Sequence, residues 1–208
     1  MISESKRFLY IHVPKTGGYT IKNILAPYSN DKILKGRPSL LGAGKGWQMY
    51  DGKSNKMMMH GGIQFYEKKY GSLDKYFKFS VVRNPWDRLL AYSVWLNGGV
   101  FSDEALNHVL NATKFMKPHA RTQVYLWRYK NGDIAIDEFV LFEDFKDSLI
   151  VIFNRLDIEF NVKDLDVKLN STEHKHYSEY YTDENIELVS RVCEEEIKMF
   201  NYEFEDKR

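Results

Sequence analysis

The sequence predicts an α/β fold, a central parallel sheet flanked by helices. Three observations carry this. Phe8-Leu9-Tyr10-Ile11-His12-Val13 is an apolar run that leads through a glycine loop into a segment of helical spacing. A second run, Tyr76 to Val82, has strong β propensity and passes at once into another helical pattern. Strand and helix patterns then continue to alternate, which calls for crossover connections rather than hairpins.

The first strand ends at Pro14, which has no amide to give to a ladder. Lys15-Thr16-Gly17-Gly18 is a tight loop, and Tyr19 to Tyr28 is a helix with Ile21, Ile24 and Leu25 on one face. Residues 29–59 keep no apolar period and are broken by Gly36, Gly42, Gly44, Gly46 and Gly52, so an irregular excursion of the lid or binding-loop kind is expected. In it, Trp47 and Tyr50 suit stacking on a sugar or adenine as well as core packing, while Met57-Met58-Met59 reads as gap-filling core. Ile63 to Tyr70 predicts a short helix. Tyr76 to Val82 is rich in β-favouring residues and Arg83-Asn84-Pro85 closes it. Trp86, Leu89, Leu90, Val94 and Trp95 then supply a helical stripe up to Leu96.

Residues 103–130 read as mainly helical, and Phe139 to Phe142 as a third strand. Asp144 is placed to cap a helix running toward Asn154. Thr182 caps a last helix whose first turn holds Asp183 and Glu184, where the helix dipole favours negative charge. Ile186, Val189, Cys193, Ile197 and Phe200 share one face of it, which makes Cys193 a core residue rather than a nucleophile.

Composition narrows the classes. The 208 residues suit one domain, residues 1–208. With 43% hydrophobic and 28% charged residues, the chain can fill a core without a disulfide or structural metal. A net charge of +1 does not indicate general nucleic-acid binding, though a local basic pocket is compatible with it. One cysteine allows no intrachain disulfide and no multi-cysteine zinc site. No apolar run reaches the length of a membrane span, so a soluble cytoplasmic protein is expected.

The first functional signal is the strand–PKTGG–helix unit. Glycines let a backbone come close to a ligand, and a helix N-terminus offers free amides and a positive dipole end. Lys15 adds a full charge, and Thr16 and Thr20 add hydroxyls. The unit reads as a site for an anion with several oxygens or as an ordinary turn with a solvated lysine. It is not a Walker A loop, because Lys15 precedes Gly17 and Gly18 rather than following the last glycine.

The second signal is Val81-Val82-Arg83-Asn84-Pro85-Trp86-Asp87-Arg88. Arg83 ends a strand at the edge where ligands gather in open parallel sheets, and its planar fork matches phosphate oxygens. Arg88, in the helix that follows, suits an acidic partner equally.

Together the two segments resemble the sulfotransferases that use 3′-phosphoadenosine 5′-phosphosulfate, PAPS. FLYIHVPKTGGYTIKNIL is similar to their 5′-phosphosulfate loop and FKFSVVRNPWDRLLAYSVW to their 3′-phosphate segment. The nearest likeness is to the carbohydrate group, with heparan 2-O- and chondroitin-type enzymes and small bacterial relatives. His60-Gly61-Gly62 stands where that group carries its catalytic histidine, and HYSEYYTDENIELVSRVCEEEIKMFNYEF resembles its C-terminal end.

The resemblance implies a P-loop NTPase-like sulfotransferase fold and sulfuryl transfer to a hydroxyl or amine, with a carbohydrate or other small molecule as acceptor. Lys15 would meet the phosphosulfate and its bridging oxygen. Thr16, Gly17, Gly18, Tyr19 and Thr20 would cradle the 5′-phosphate, and Arg83 would hold the 3′-phosphate of PAPS or of the product PAP. The loop has Tyr19-Thr20 where the family often has Thr-Ser, which keeps a hydroxyl. Ala91 stands where the family commonly has a phosphate-binding serine. Ser93 is the nearest remaining hydroxyl and is a candidate contact, although two residues along a helix turn it about 200° away.

Sulfuryl transfer accounts for these residue types. A base must take the acceptor proton, and histidine titrates near neutral pH, which makes His60 the candidate. Lys15 can stabilise charge growing on the leaving phosphate oxygen. No metal is expected: His174 and His176 form an H-x-H pair without an evident third ligand. Lys175 and His176 are weaker candidates for cofactor contact, and His12 reads as structural, with His108 and His119 outside any motif. Arg121 and Gln123 suit hydrogen bonding to a sugar or a solvated helix face. Two other readings stand beside the sulfotransferase: a divergent P-loop nucleotide kinase, and a nucleotide-binding module that has lost catalysis. The sequence leaves oligomeric state open.

Overall fold

In the computed structural model, residues 1–38, 45–50, 60–115, 122–166 and 175–208 are described, with backbone alone for 32–38 and 45–50. In chain order the first elements are β1 (Ile2–Ser3), β2 (Phe8–Ile11), α1 (Gly18–Leu25), β3 (Lys32–Pro38), β4 (Lys45–Tyr50), α2 (Ile63–Tyr70), β5 (Phe77–Val82) and α3 (Pro85–Leu96). Then follow α4 (Asp103–Lys114), α5 (Gln123–Trp127), β6 (Glu138–Leu141), α6 (Phe145–Arg155), α7 (Val162–Asp166), α8 (Asp183–Val192) and α9 (Glu194–Phe200).

The main sheet runs β1-β2-β5-β6, with β2, β5 and β6 parallel and β1 an antiparallel edge. β2 is buried along its whole length, as an unbroken apolar run requires of a strand covered on both faces. Strand alternation divides its side chains between two cores. Phe8 and Tyr10 join Phe79 and Val81 of β5, Val140 of β6 and the inner faces of α1, α6 and α7. Leu9 and Ile11 join Val82 and the inner faces of α2 and α5. A third core gathers α3, α4 and α8 around Trp86, Leu90, Val109 and Val189. The result is a mixed α/β architecture with a four-stranded sheet flanked by helices.

Three parallel strands end on the same edge. Ile11 is level with Ser80, and Val82 with Leu141. The loops that begin at His12, Arg83 and Phe142 therefore emerge side by side, which is where the two motifs meet.

Several expectations need correction. Part of the 29–59 excursion is regular: β3 and β4 pair antiparallel, with an irregularity between Leu34 and Arg37, around Gly36. A hairpin satisfies its backbone without an apolar period, so periodicity carried no signal for it. The last helix is divided at Cys193, which has non-helical ψ of 17°, and this re-aims α9. Thr182 caps α8 as expected, its Oγ1 accepting from Asn185 N at 3.3 Å. Asp144 precedes α6 but makes no side-chain cap bond. The helical stretch 103–130 is α4 and the short α5, followed by a bridge between Arg128 and Ile134. Met57, Met58, Met59, His119, Arg121 and His174 lie outside the described residues, as do the side chains of Trp47 and Tyr50. Among the described residues no helix is long and apolar enough to cross a membrane.

Candidate active site

The loop from β2 to α1 is closed by its own groups. The Thr16 hydroxyl donates to Val13 O at 2.8 Å inside the fold, so its proton is committed to the main chain. Lys15 sits at φ +67°, a left-handed conformation that costs a non-glycine residue about 1–3 kcal/mol and that clusters at functional sites. Gly17 follows at φ +72° and starts α1, with no side chain capping the helix. Tyr19 is half-buried and Thr20 is 6% exposed in the first turn. Gly17 has no side chain to cap α1, as at helix starts that accept an anion.

The two glycines serve a purpose the sequence did not reveal. A Cβ on Gly17 would stand 2.7 Å from the Phe145 ring, and one on Gly18 would collide with the His12 imidazole. Both residues are small so that rings can press against the loop. His12 therefore does more than fill the strand end: its ring lies between Gly18 and His60, with the two imidazole centroids 4.5 Å apart.

Arg83 leaves β5 and turns onto this loop. Its Nη1 donates to Lys15 O at 2.8 Å, its Nε to Asp87 Oδ2 at 2.6 Å, and its guanidinium lies 4.3 Å from the Phe142 ring centroid. Residues from all three parallel-strand ends are joined in this one contact set. Asn84 caps α3, its side chain accepting from Trp86 N and Asp87 N, which places Asp87 one turn beyond Arg83.

Burial and the Arg83 charge lower the Lys15 pKa to about 8, so the ammonium form still predominates at neutral pH. Its Nζ lies 5.8 Å from the ring of Trp95, which stacks in turn on Tyr92. Two adjacent cations, one of them paired with Asp87, leave a local positive excess beside the α1 N-terminus. A third cation escaped sequence reading: Lys22 is 5% exposed, and burial lowers its pKa to about 8 although Asp31 acts against this. A lysine in an amphipathic helix reads as solvated, so nothing in the pattern marked it.

His60 is half-buried, with Nδ1 3.3 Å from His12 O. Burial, with the Lys22 charge, lowers its pKa to about 3. The ring is therefore neutral at physiological pH. A proton on Nδ1 that donates to the His12 carbonyl leaves the lone pair on Nε2.

Other candidates fall away from this arrangement. Ser93 is fully buried and donates its hydroxyl to Leu90 O at 2.8 Å, so the fold commits it to α3 rather than to a ligand. Ala91 is also buried. Arg88 is 1% exposed, and its charge acts on buried Cys193, whose thiol pKa is raised by burial. His176 bonds Ser178 and lies 3.6 Å from Glu205, and Lys175 pairs with Glu179. Exposed His108 lines a depression of about 350 Å³ where α3 ends, with Leu96, Asn97 and Ser102.

Gln123 corrects a sequence reading. It is fully buried rather than part of a solvated face, and binds the main chain of Arg83 and the carboxylate of Glu196. Glu196, also fully buried, had no sequence signal because Glu194-Glu195-Glu196 reads as a charged helix start. Among the described residues no group of three or more His, Cys, Asp or Glu is arranged to hold a metal.

Fold and site together define a mixed α/β protein with a cationic loop–helix junction and a neutral histidine at the carboxyl edge of its sheet. The model of the sulfotransferase family matches residues 1–207, and the chain belongs to that family. Family membership supports sulfuryl transfer as the general activity. Comparison with curated proteins and with solved structures finds no match.

Proposed function

We propose that the protein transfers a sulfuryl group from PAPS to a hydroxyl, with carbohydrate as the acceptor class. The observation that carries the reading is the Arg83–Lys15 contact, which brings the two anion-binding segments into one place. The cradle suits a ligand with more than one phosphate: the start of α1 with Lys15 would take one, and the adjacent guanidinium of Arg83 another. PAPS, when bound, supplies a sulfuryl group activated by its bond to phosphate.

The chain supplies the rest. Amides from Thr16 to Thr20 with the Thr20 hydroxyl hold the 5′ side, and Arg83 reads the 3′-phosphate that ATP lacks. His60 takes the hydroxyl proton at Nε2 as the acceptor oxygen bonds to sulfur. Lys15 places its ammonium where the departing phosphate oxygen gains charge, which is worth most in a partly buried site. The negative charge of the cofactor raises the basicity of His60 from its low value in the free protein. Residues 1–208 act as one domain in this reading, in a cytoplasmic setting.

The test is turnover of PAPS with a panel of hydroxyl-bearing sugars, followed as PAP released. Release that depends on an acceptor, and that His60→Ala abolishes while PAP binding persists, supports the mechanism. Full turnover by His60→Ala removes His60 as the base. PAP binding without transfer to any acceptor supports instead a binding module that has lost catalysis, the reading that Ala91 keeps open.

A further inference from the structure

We infer that Gln123 and Glu196 are positioning residues that fix Arg83 at the site, an inference that rests on the proposed cofactor-binding role of Arg83. The two come from separate helices, α5 and α9, and both are fully buried. Gln123 meets the Arg83 main chain twice: Oε1 accepts from Arg83 N at 3.1 Å and Nε2 donates to Arg83 O at 2.8 Å. The last β5–β6 register pair is Val82 with Leu141. One side-chain amide thus does for residue 83 what a neighbouring strand does for residue 82, and satisfies both of its peptide groups.

Glu196 sets the direction of that amide. Its carboxylate accepts from Gln123 N at 2.6 Å, Gln123 Nε2 at 3.2 Å and Val124 N at 3.4 Å. The Glu196 carboxyl oxygens already accept from two main-chain amides, and the nitrogen of Gln123 is the atom that donates to them. That nitrogen has two hydrogens, one for Glu196 and one for Arg83 O, and the oxygen is left to face Arg83 N. With the amide fixed, the Arg83 backbone is fixed, and its side chain starts from a defined point toward Asp87 and the Lys15 carbonyl. Glu196 also serves α5 by taking its first amides, and that local role alone would leave Arg83 unaffected.

Two variants separate these roles. Gln123→Met keeps volume and loses the amide; Glu196→Gln keeps shape and loses the acceptor-only carboxylate. Calorimetry compares PAP with adenosine 5′-monophosphate, which lacks the 3′-phosphate. Each variant is expected to bind PAP about tenfold more weakly, with a clearly smaller fall for the monophosphate, which meets Arg83 only through the Lys15 loop. An equal fall for both nucleotides, or no fall, overturns the inference.

A second readout needs no nucleotide. Exchange of the Arg83 Nε hydrogen, followed by NMR in the free protein, is expected to speed up about tenfold in both variants while the Val81 amide keeps its wild-type rate. Unchanged exchange at Arg83 overturns the inference. If the wild-type protein binds neither nucleotide, the cofactor reading fails, and the exchange result alone decides whether Gln123 and Glu196 position Arg83.

Discussion

Arg83 donates from Nη1 to the carbonyl oxygen of Lys15 at 2.8 Å, across 68 residues of sequence. The acceptor belongs to a residue held at φ +67°, so the guanidinium helps to hold the loop in its strained form. The same contact puts two cations side by side, and this lowers the Lys15 pKa along with burial. Arg83→Met removes the repelling charge. Its expected effect is a Lys15 pKa above about 8, read by NMR of a labelled ammonium group, with weaker protection of the loop amides. An unchanged Lys15 titration would mean that burial alone accounts for the shift.

Lys15 should cost stability. Its folded pKa, about 8, lies below the ordinary 10.5. Between those values the unfolded chain holds a proton that the folded chain has released, so stability rises with pH through that window. Below about pH 8 both states are protonated and the burial cost is constant. Lys15→Met is therefore expected to raise Tm at neutral pH, to remove the alkaline rise and to abolish PAPS turnover. A lower Tm at neutral pH would contradict this.

Gly18→Ala tests the ring packed against the loop. The new methyl group collides with His12, whose ring touches His60. Thermal unfolding should show a loss of about 1–3 kcal/mol, as for overpacking elsewhere. Turnover should fall further than stability alone explains, because the displaced His12 no longer holds His60. Wild-type stability would show that the loop can shift at no cost.

His60 gives a pH signature. Its folded pKa, about 3, lies below the ordinary 6.5. As pH falls from 6.5 to about 3 the unfolded state takes up a proton that the folded state refuses, so stability declines through that window. His60→Gln should flatten the decline in acid unfolding curves. In NMR titrations the His60 ring should stay neutral through pH 5, and PAP should move its pKa upward. Titration near 6.5 in the free protein would contradict the burial argument.

Parts of the fold and of the candidate site are legible in residue order, for physical reasons. β2 is buried on both faces and is an unbroken apolar run, β5 stands out by its β-favouring residues although it buries Lys78 and Ser80, and α2 matches its predicted span because Gly62 and Gly71 bound it. The Lys15 loop and Arg83 were legible because glycines, proline and a strand-terminal arginine stand out locally. What they touch was not. Gln123, Glu196 and Lys22 are polar residues on helices, and their burial depends on how α1, α5 and α9 pack, which periodicity does not report. Ser93 misled for the opposite reason: a hydroxyl near a motif reads as available, and here the helix carbonyl of Leu90 takes it. The β3–β4 hairpin was hidden because backbone pairing, not side-chain pattern, defines it in the described structure.

In the proposed function the Lys15 loop and Arg83 form one site for a nucleotide with phosphates at both the 5′ and 3′ positions. Calorimetric titration with PAP, with ATP–magnesium as competitor, tests it most directly. PAP binding that ATP–magnesium does not displace, and that Arg83→Ala eliminates, is the expected result. Clear ATP–magnesium binding without PAP binding would contradict it and would turn attention to phosphoryl transfer.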